Sequence, residues 1–216
     1  VCSLVERGAR VASKASVPLI IFAHSLGNAL LAGALQAGLC ALPANAAWYS
    51  AAAPWHGSRA ADRLPDICAG SGMVNSALRS LAQRLHYCEG EDGGPSAGFA
   101  SLNTSNAALR VVADAWQGRV NGSLCGDSAF GLWSFDSTGM QALADLANFG
   151  AANDGAVPAD ACHPRGVQPE RTHESRHLTA GANHYDLACR HGDGSLPWGG
   201  DDRRPCSWYE AMVART

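Results

Sequence analysis

The chain has 216 residues, 47% of them hydrophobic and 16% charged, with a formal net charge of −3. That length suffices for one domain with a sizeable core, and the charge balance offers no basic surface for nucleic acid. The longest apolar stretches, Val17–Ala23 and Ala29–Leu42, are too short to span a bilayer, and Glu6, Arg7 and Arg10 make the start unlike a signal peptide.

Cys2–Ala15 mixes apolar and charged residues and predicts an amphipathic helix. Val17–Phe22 is a continuous aliphatic run, as in a strand buried on both faces. Ser25–Leu39 is rich in Ala and Leu and predicts a helix, with Gly38 near its stop. Asn45–Ala52 predicts a second short strand. Ala60–Cys88 predicts helix, interrupted at Pro65 and at Gly70–Gly72, and Glu89–Gly98 predicts a surface loop. Asn106–Gln117 reads as a helix, Arg119–Cys125 as a strand, Met140–Asn148 as a helix and Glu174–Ala180 as a strand. Arg190–Pro205, polar and rich in Gly, Asp and Pro, reads as loop. Strands alternating with helices indicate an α/β layer fold with a mostly parallel sheet.

Eight cysteines stand at positions 2, 40, 68, 88, 125, 162, 189 and 206, with no C-x-x-C pair. A dispersed, even set predicts disulfides and a secreted or lumenal protein; buried thiols in a cytosolic protein are the alternative. Position along the chain suggests Cys68–Cys88, Cys125–Cys162 and Cys189–Cys206 as pairs, with Cys2 held far from Cys40 by the first helix. Asn103-Thr104-Ser105 and Asn121-Gly122-Ser123 are glycosylation triplets.

A tight turn between a buried strand and a helix, with a serine in it, describes Ala23-His24-Ser25-Leu26-Gly27. This is the G-x-S-x-G nucleophile elbow with Ala23 in place of the first glycine. Small residues are expected on both sides of Ser25, where strand and helix backbones approach. The Leu26 N–H, at the helix start, is a candidate oxyanion donor. A serine capping a helix is the plainer alternative.

Three later blocks accompany the elbow: "AAPWHGSRAAD" (Ala52–Asp62), "NDGAVP" (Asn153–Pro158) and "NHYDL" (Asn183–Leu187). Together, in this order, they resemble a lipase-type α/β-hydrolase. The resemblance implies a mostly parallel sheet with helices on both faces, in a single domain 1–216 with a helical cap insertion at about 59–105. It implies a serine hydrolase that cleaves lipid or other carboxylic esters through an acyl-enzyme, without a cofactor. Ser25 would be the nucleophile, Asp154 the acid and His184 the base, with Asp127 or Asp136 the next acids in line. An acyltransferase with the same triad, and a non-catalytic binding module on this fold, are the competing functions. Trp55, Ile67, Met73, Val74 and Leu78 are candidates to line an acyl pocket, Trp55 and Met73 foremost. Asp186 takes a place that binds calcium in some bacterial members, but no second aspartate accompanies it; capping is its plainer role. The expected partner is a small-molecule or lipid ester, with transient contact to a lipid surface. The family places several strands before the nucleophile strand and takes a second oxyanion donor from them. Only 24 residues precede Ser25, so the N-terminal part of the fold is expected to be missing and activity weak.

"HESRH" (His173–His177) satisfies the zinc-protease pattern H-E-x-x-H. Its surroundings lack the apolar helix face that such a motif needs, so an outer strand with surface histidines fits better. Gly126-Asp127-Ser128 reads as a turn.

Overall fold

The computed structural model describes residues 1–70, 76–84, 86–194 and 202–216. Among them, β1 (Ile20–His24), β2 (Ala47–Ala51), β3 (Gly122–Gly126) and β4 (His177–Ala180) form one parallel sheet in the order β1-β2-β3-β4. Phe22 pairs with Tyr49, Ser50 with Ser123 and Leu124 with Leu178. Parallel neighbours require the chain to cross back between strands. Helices α1 (Cys2–Ala15), α2 (Leu26–Gln36), α3 (Arg59–Ala69), α4 (Ser76–Arg84), α5 (Ala97–Ala100), α6 (Ala107–Trp116), α7 (Phe135–Ala147), α8 (Ala159–Cys162) and α9 (Pro205–Ala214) occupy the segments before, between and after the strands.

The pleat sends alternate side chains to opposite faces. Ile21 and Trp48 face one layer, where they meet Leu31 and Leu35 of α2, Val5 and Ala12 of α1 and Ala113 of α6. Phe22, Tyr49, Leu124 and Leu178 face the other, against Trp208 and Met212 of α9. There the Phe22 and Tyr49 rings stack at 5.3 Å and Trp208 meets Tyr49 edge-on at 5.9 Å. Both faces are therefore covered, as the apolar strands require. A third apolar cluster forms where α3, α4 and α7 meet, and Leu26 and Tyr185 pack against it.

Several expectations change at the boundaries. Pro65 lies inside α3 and does not interrupt it. Ser58 caps that helix by accepting the Ala61 N–H, and Gly70 ends it at φ 64°. A proline forfeits one helical bond; here buried Leu64, Ile67 and Cys68 hold the turn on its far side. Helix α7 begins at Phe135, ahead of Met140, because Ser134 and Ser137 form a capping box. Helix α9 follows the polar stretch directly, with Pro205 in its first turn, a favoured place for proline.

Four disulfides form, Cys2–Cys40, Cys68–Cys88, Cys125–Cys162 and Cys189–Cys206. The last three are the expected pairs. The first corrects the separation expected for Cys2: its Cα lies 5.6 Å from that of Cys40. Helix α1 packs against the connection between α2 and β2, through the cluster that holds Ala9, Cys40, Leu42 and Ala46.

Candidate active site

Ser25 stands between the last residue of β1 and the first of α2 with φ 51° and ψ −129°. An L-residue rarely adopts that conformation, and it persists only where the surroundings enforce it. The enforcing contacts are visible. The Ser25 N–H donates to the Ala51 carbonyl at 2.9 Å. Asn28, fully buried, donates through Nδ2 to the carbonyls of Ala23 at 2.9 Å and Ala51 at 3.2 Å. Its Oδ1 accepts the Trp48 indole N–H at 3.2 Å. The expected need for a small residue at Gly27 is not met, since an added Cβ there has nothing within 4 Å. The turn is fixed by Asn28 rather than by tight backbone contact at Gly27. Leu26 opens α2, so its N–H is among those a helix leaves without an internal partner.

His184 reaches Ser25 from the loop after β4. Its Nε2 lies 2.8 Å from the Ser25 hydroxyl and its Nδ1 lies 2.8 Å from Asp154 Oδ2. Both are buried, His184 4% and Asp154 1% exposed. Asp154 is held by its own turn, where Oδ1 accepts the N–H groups of Ala156 at 2.9 Å and Val157 at 2.7 Å. The Asp154 carbonyl accepts the His184 N–H at 2.8 Å, which ties the two loops at their backbones. Gly155 has φ 95°, and a Cβ there would stand 2.6 Å from the Met140 side chain. The structure thus brings Ser25, His184 and Asp154 together. Asp127 pairs instead with Arg171, and Asp136 with Arg190 and His191.

No protein-family model and no curated protein matches the sequence. Solved structures do. The mature form of the Bacillus licheniformis lipase BlEst2 superposes with a TM-score of 0.58 at 15% identity, over 99% of this chain and 71% of the lipase. A metagenomic carboxyl esterase superposes with a TM-score of 0.51 at 19% identity, over 96% of this chain and 59% of the esterase. The chain has the α/β-hydrolase fold.

In this fold, three residues to which the sequence reading gave no role support the site. Asn28 is the first. His24 is the second: it donates from Nε2 to the His184 carbonyl at 2.9 Å, with the two rings 4.9 Å apart. Burial, and then the neighbouring His184, push its pKa down to about 4, so the ring is neutral at ordinary pH. His191 is the third, through Asp186.

Asp186 is fully buried and engaged by N–H donors. Its Oδ2 accepts from Leu132 at 2.8 Å and Asn183 at 2.9 Å, while Oδ1 lies 2.7 Å from His191 Nδ1. This bonding gives Asp186 a capping role and fastens the His184 loop to the Leu132 segment. Among the described residues no group of three or more His, Cys, Asp or Glu is arranged to hold a metal. "HESRH" is not helical; it runs through a turn into β4, beginning the strand at His177. The Gly126-Asp127-Ser128 stretch is not the expected turn: Gly126 ends β3, and Ser128 lies in the loop after it, where it accepts the Gly131 N–H at 3.1 Å.

A narrow pocket, partly open to solvent, adjoins Ser25 and His184. Apart from Ser58, its other walls are apolar or aromatic, among them Ala61, Leu64, Tyr87, Phe99 and Leu143. Trp55 is not one of them. It is 1% exposed and packs edge-on against Trp48 at 5.8 Å, in the core between sheet and helices. Met73 and Val74 lie outside the described residues.

Proposed function

We propose that this protein hydrolyses carboxylic esters with an apolar acyl group through an acyl-enzyme on Ser25. The observation that carries the reading is the unbroken chain from the Asp154 carboxylate through His184 to the hydroxyl of a conformationally strained serine. His184 Nε2 takes the Ser25 proton as Oγ attacks the carbonyl carbon. Asp154 keeps the proton on Nδ1 and stabilises the imidazolium that forms. The Leu26 N–H donates to the developing oxyanion. His184 then returns its proton to the leaving alcohol and activates the water that releases the acid. The apolar cavity beside Ser25 supports the acyl preference.

Residues 59–105 serve as the cap of a single domain in this reading. Four disulfides favour a secreted or lumenal site of action. Trp133 just before α7 and Phe135 at its first position, 88% and 87% exposed, suit transient contact with a lipid surface. A fluorophosphonate probe is expected to label the wild type and not Ser25→Ala. A series of p-nitrophenyl esters is expected to be turned over only by the wild type. Labelling that persists in Ser25→Ala would overturn the assignment of the nucleophile.

A further inference from the structure

The cavity beside Ser25 is not the end of the apolar space. A second, smaller apolar pocket lies among Ile67 of α3, Leu78 and Ala82 of α4 and Met140 of α7. The two share Leu64, Tyr87 and Leu143 as lining residues, so a single layer of side chains separates them. Neither has an Asp, Glu, Lys or Arg among its described lining residues. Ser58 directs its hydroxyl to the Ala156 carbonyl at 2.5 Å and accepts the Ala61 N–H, so its polarity is spent within the wall.

The aromatic part of the partition is fixed. The Tyr87 ring meets Phe99 edge-on at 4.4 Å, and its hydroxyl lies 3.1 Å from that of Tyr185, the neighbour of His184. The next residue, Cys88, is bonded to Cys68 near the end of α3. Leu64 and Leu143 have no such ties. They are held by packing alone, and they are the parts of the partition that a substitution can remove.

We propose that Leu64 and Leu143, beside the fixed Tyr87 ring, set the length of acyl chain the site accepts. The cavity between α3, α4 and α7 then receives the distal carbons of longer chains when either leucine is cut back. This rests on reading the Ser25 cavity as an acyl site. The physical reason is that hydrocarbon gains by leaving water in proportion to the apolar surface it buries, until a wall stops it.

The test measures binding without turnover. Straight-chain methyl ketones, with alkyl chains from propyl to nonyl, are titrated calorimetrically into the wild type, Leu64→Ala, Leu143→Ala and Ala61→Val. Ala61 lines only the first cavity. In the wild type, affinity is expected to rise with chain length to a limit and fall beyond it. Each leucine variant should move the limit outward by two or more carbons, with a gain of roughly tenfold for the longer ketones. Ala61→Val should move it inward. Identical chain-length profiles in the wild type and the folded variants would overturn the proposal. If the leucine variants fail to fold by circular dichroism, an unchanged limit in Ala61→Val overturns it alone. Absence of fluorophosphonate labelling or esterase turnover would instead count against the catalytic reading, because ketone binding needs neither.

Discussion

Asn28 illustrates how much of the site depends on one buried amide. Its side chain joins the end of β1, the end of β2 and the Trp48 indole, and all of these surround the strained Ser25. Removing it leaves the buried Trp48 indole N–H without its acceptor and takes one donor each from the Ala23 and Ala51 carbonyls. Asn28→Ala is therefore expected to lower unfolding free energy by about 2–4 kcal/mol and to reduce kcat on a short p-nitrophenyl ester by roughly tenfold or more, through relaxation of Ser25. Urea titration and steady-state kinetics check both; a stability change below about 0.5 kcal/mol would place Asn28 among ordinary surface-like positions. Ser25 was legible from sequence because its chemistry shows locally: a polar residue at the seam of two apolar segments. Asn28 was not, because inside the Ala- and Leu-rich run it looks like a neutral helix residue. Only the return of β2 brings its partners. The same holds for His24, whose acceptor is 160 residues away in sequence.

At the scale of elements, periodicity and apolar runs identified the four strands and most of the longer helices, while their ends moved and α9 (Pro205–Ala214), which covers one face of the sheet, was not foreseen. Helix α1 spans the residues predicted for it, and Ser16, in the left-handed conformation, closes it. The second strand starts at Ala47 and the third at Gly122, each later than its apolar run, because the ladder bonds begin where a neighbour is available. Pro65 misled because local propensity disfavours proline in a helix, whereas packing of α3 against α4 and α7 overrides it. The Cys68–Cys88 bridge belongs to this packing. It closes a loop with a sequence separation of 20. Chain entropy then assigns it a stabilisation of about 3 kcal/mol. Cys68→Ala with Cys88→Ala should lose about that much in chemical denaturation. The double variant should also loosen Tyr87, seen as faster amide exchange around residues 86–88. A loss confined to global stability, with local exchange unchanged, would separate the bridge from the Tyr87 wall.

Across the whole molecule, buried histidines set how stability follows pH. His24 and His163 both have pKa values pushed down to about 4, in each case chiefly by burial. His56 and His177 are lowered as well, again first by burial. His163 sits between strands rather than at the site: its Nδ1 lies 2.7 Å from the Ser123 hydroxyl and its Nε2 2.9 Å from that of Thr179. The same Ser123 hydroxyl lies 2.8 Å from His177 Nδ1. One hydroxyl proton and two neutral rings satisfy this cluster, and a proton added to either ring would be buried beside the other. The unfolded chain takes up these protons near the ordinary histidine value of about 6.5, while the folded chain resists until about 4. Between those values the unfolded state holds more protons, so stability rises with pH and is lost as pH falls. His24 and His163 each contribute up to about 1.4 kcal/mol per pH unit in that window. Urea midpoints measured from pH 7 down to pH 4 should therefore fall steadily, and His163→Asn should make the decline measurably shallower while leaving Ser25 labelling at pH 7 unchanged. An undiminished slope in that variant would mean that His163 titrates alike in both states, and the burial argument at the Ser123 cluster would fail.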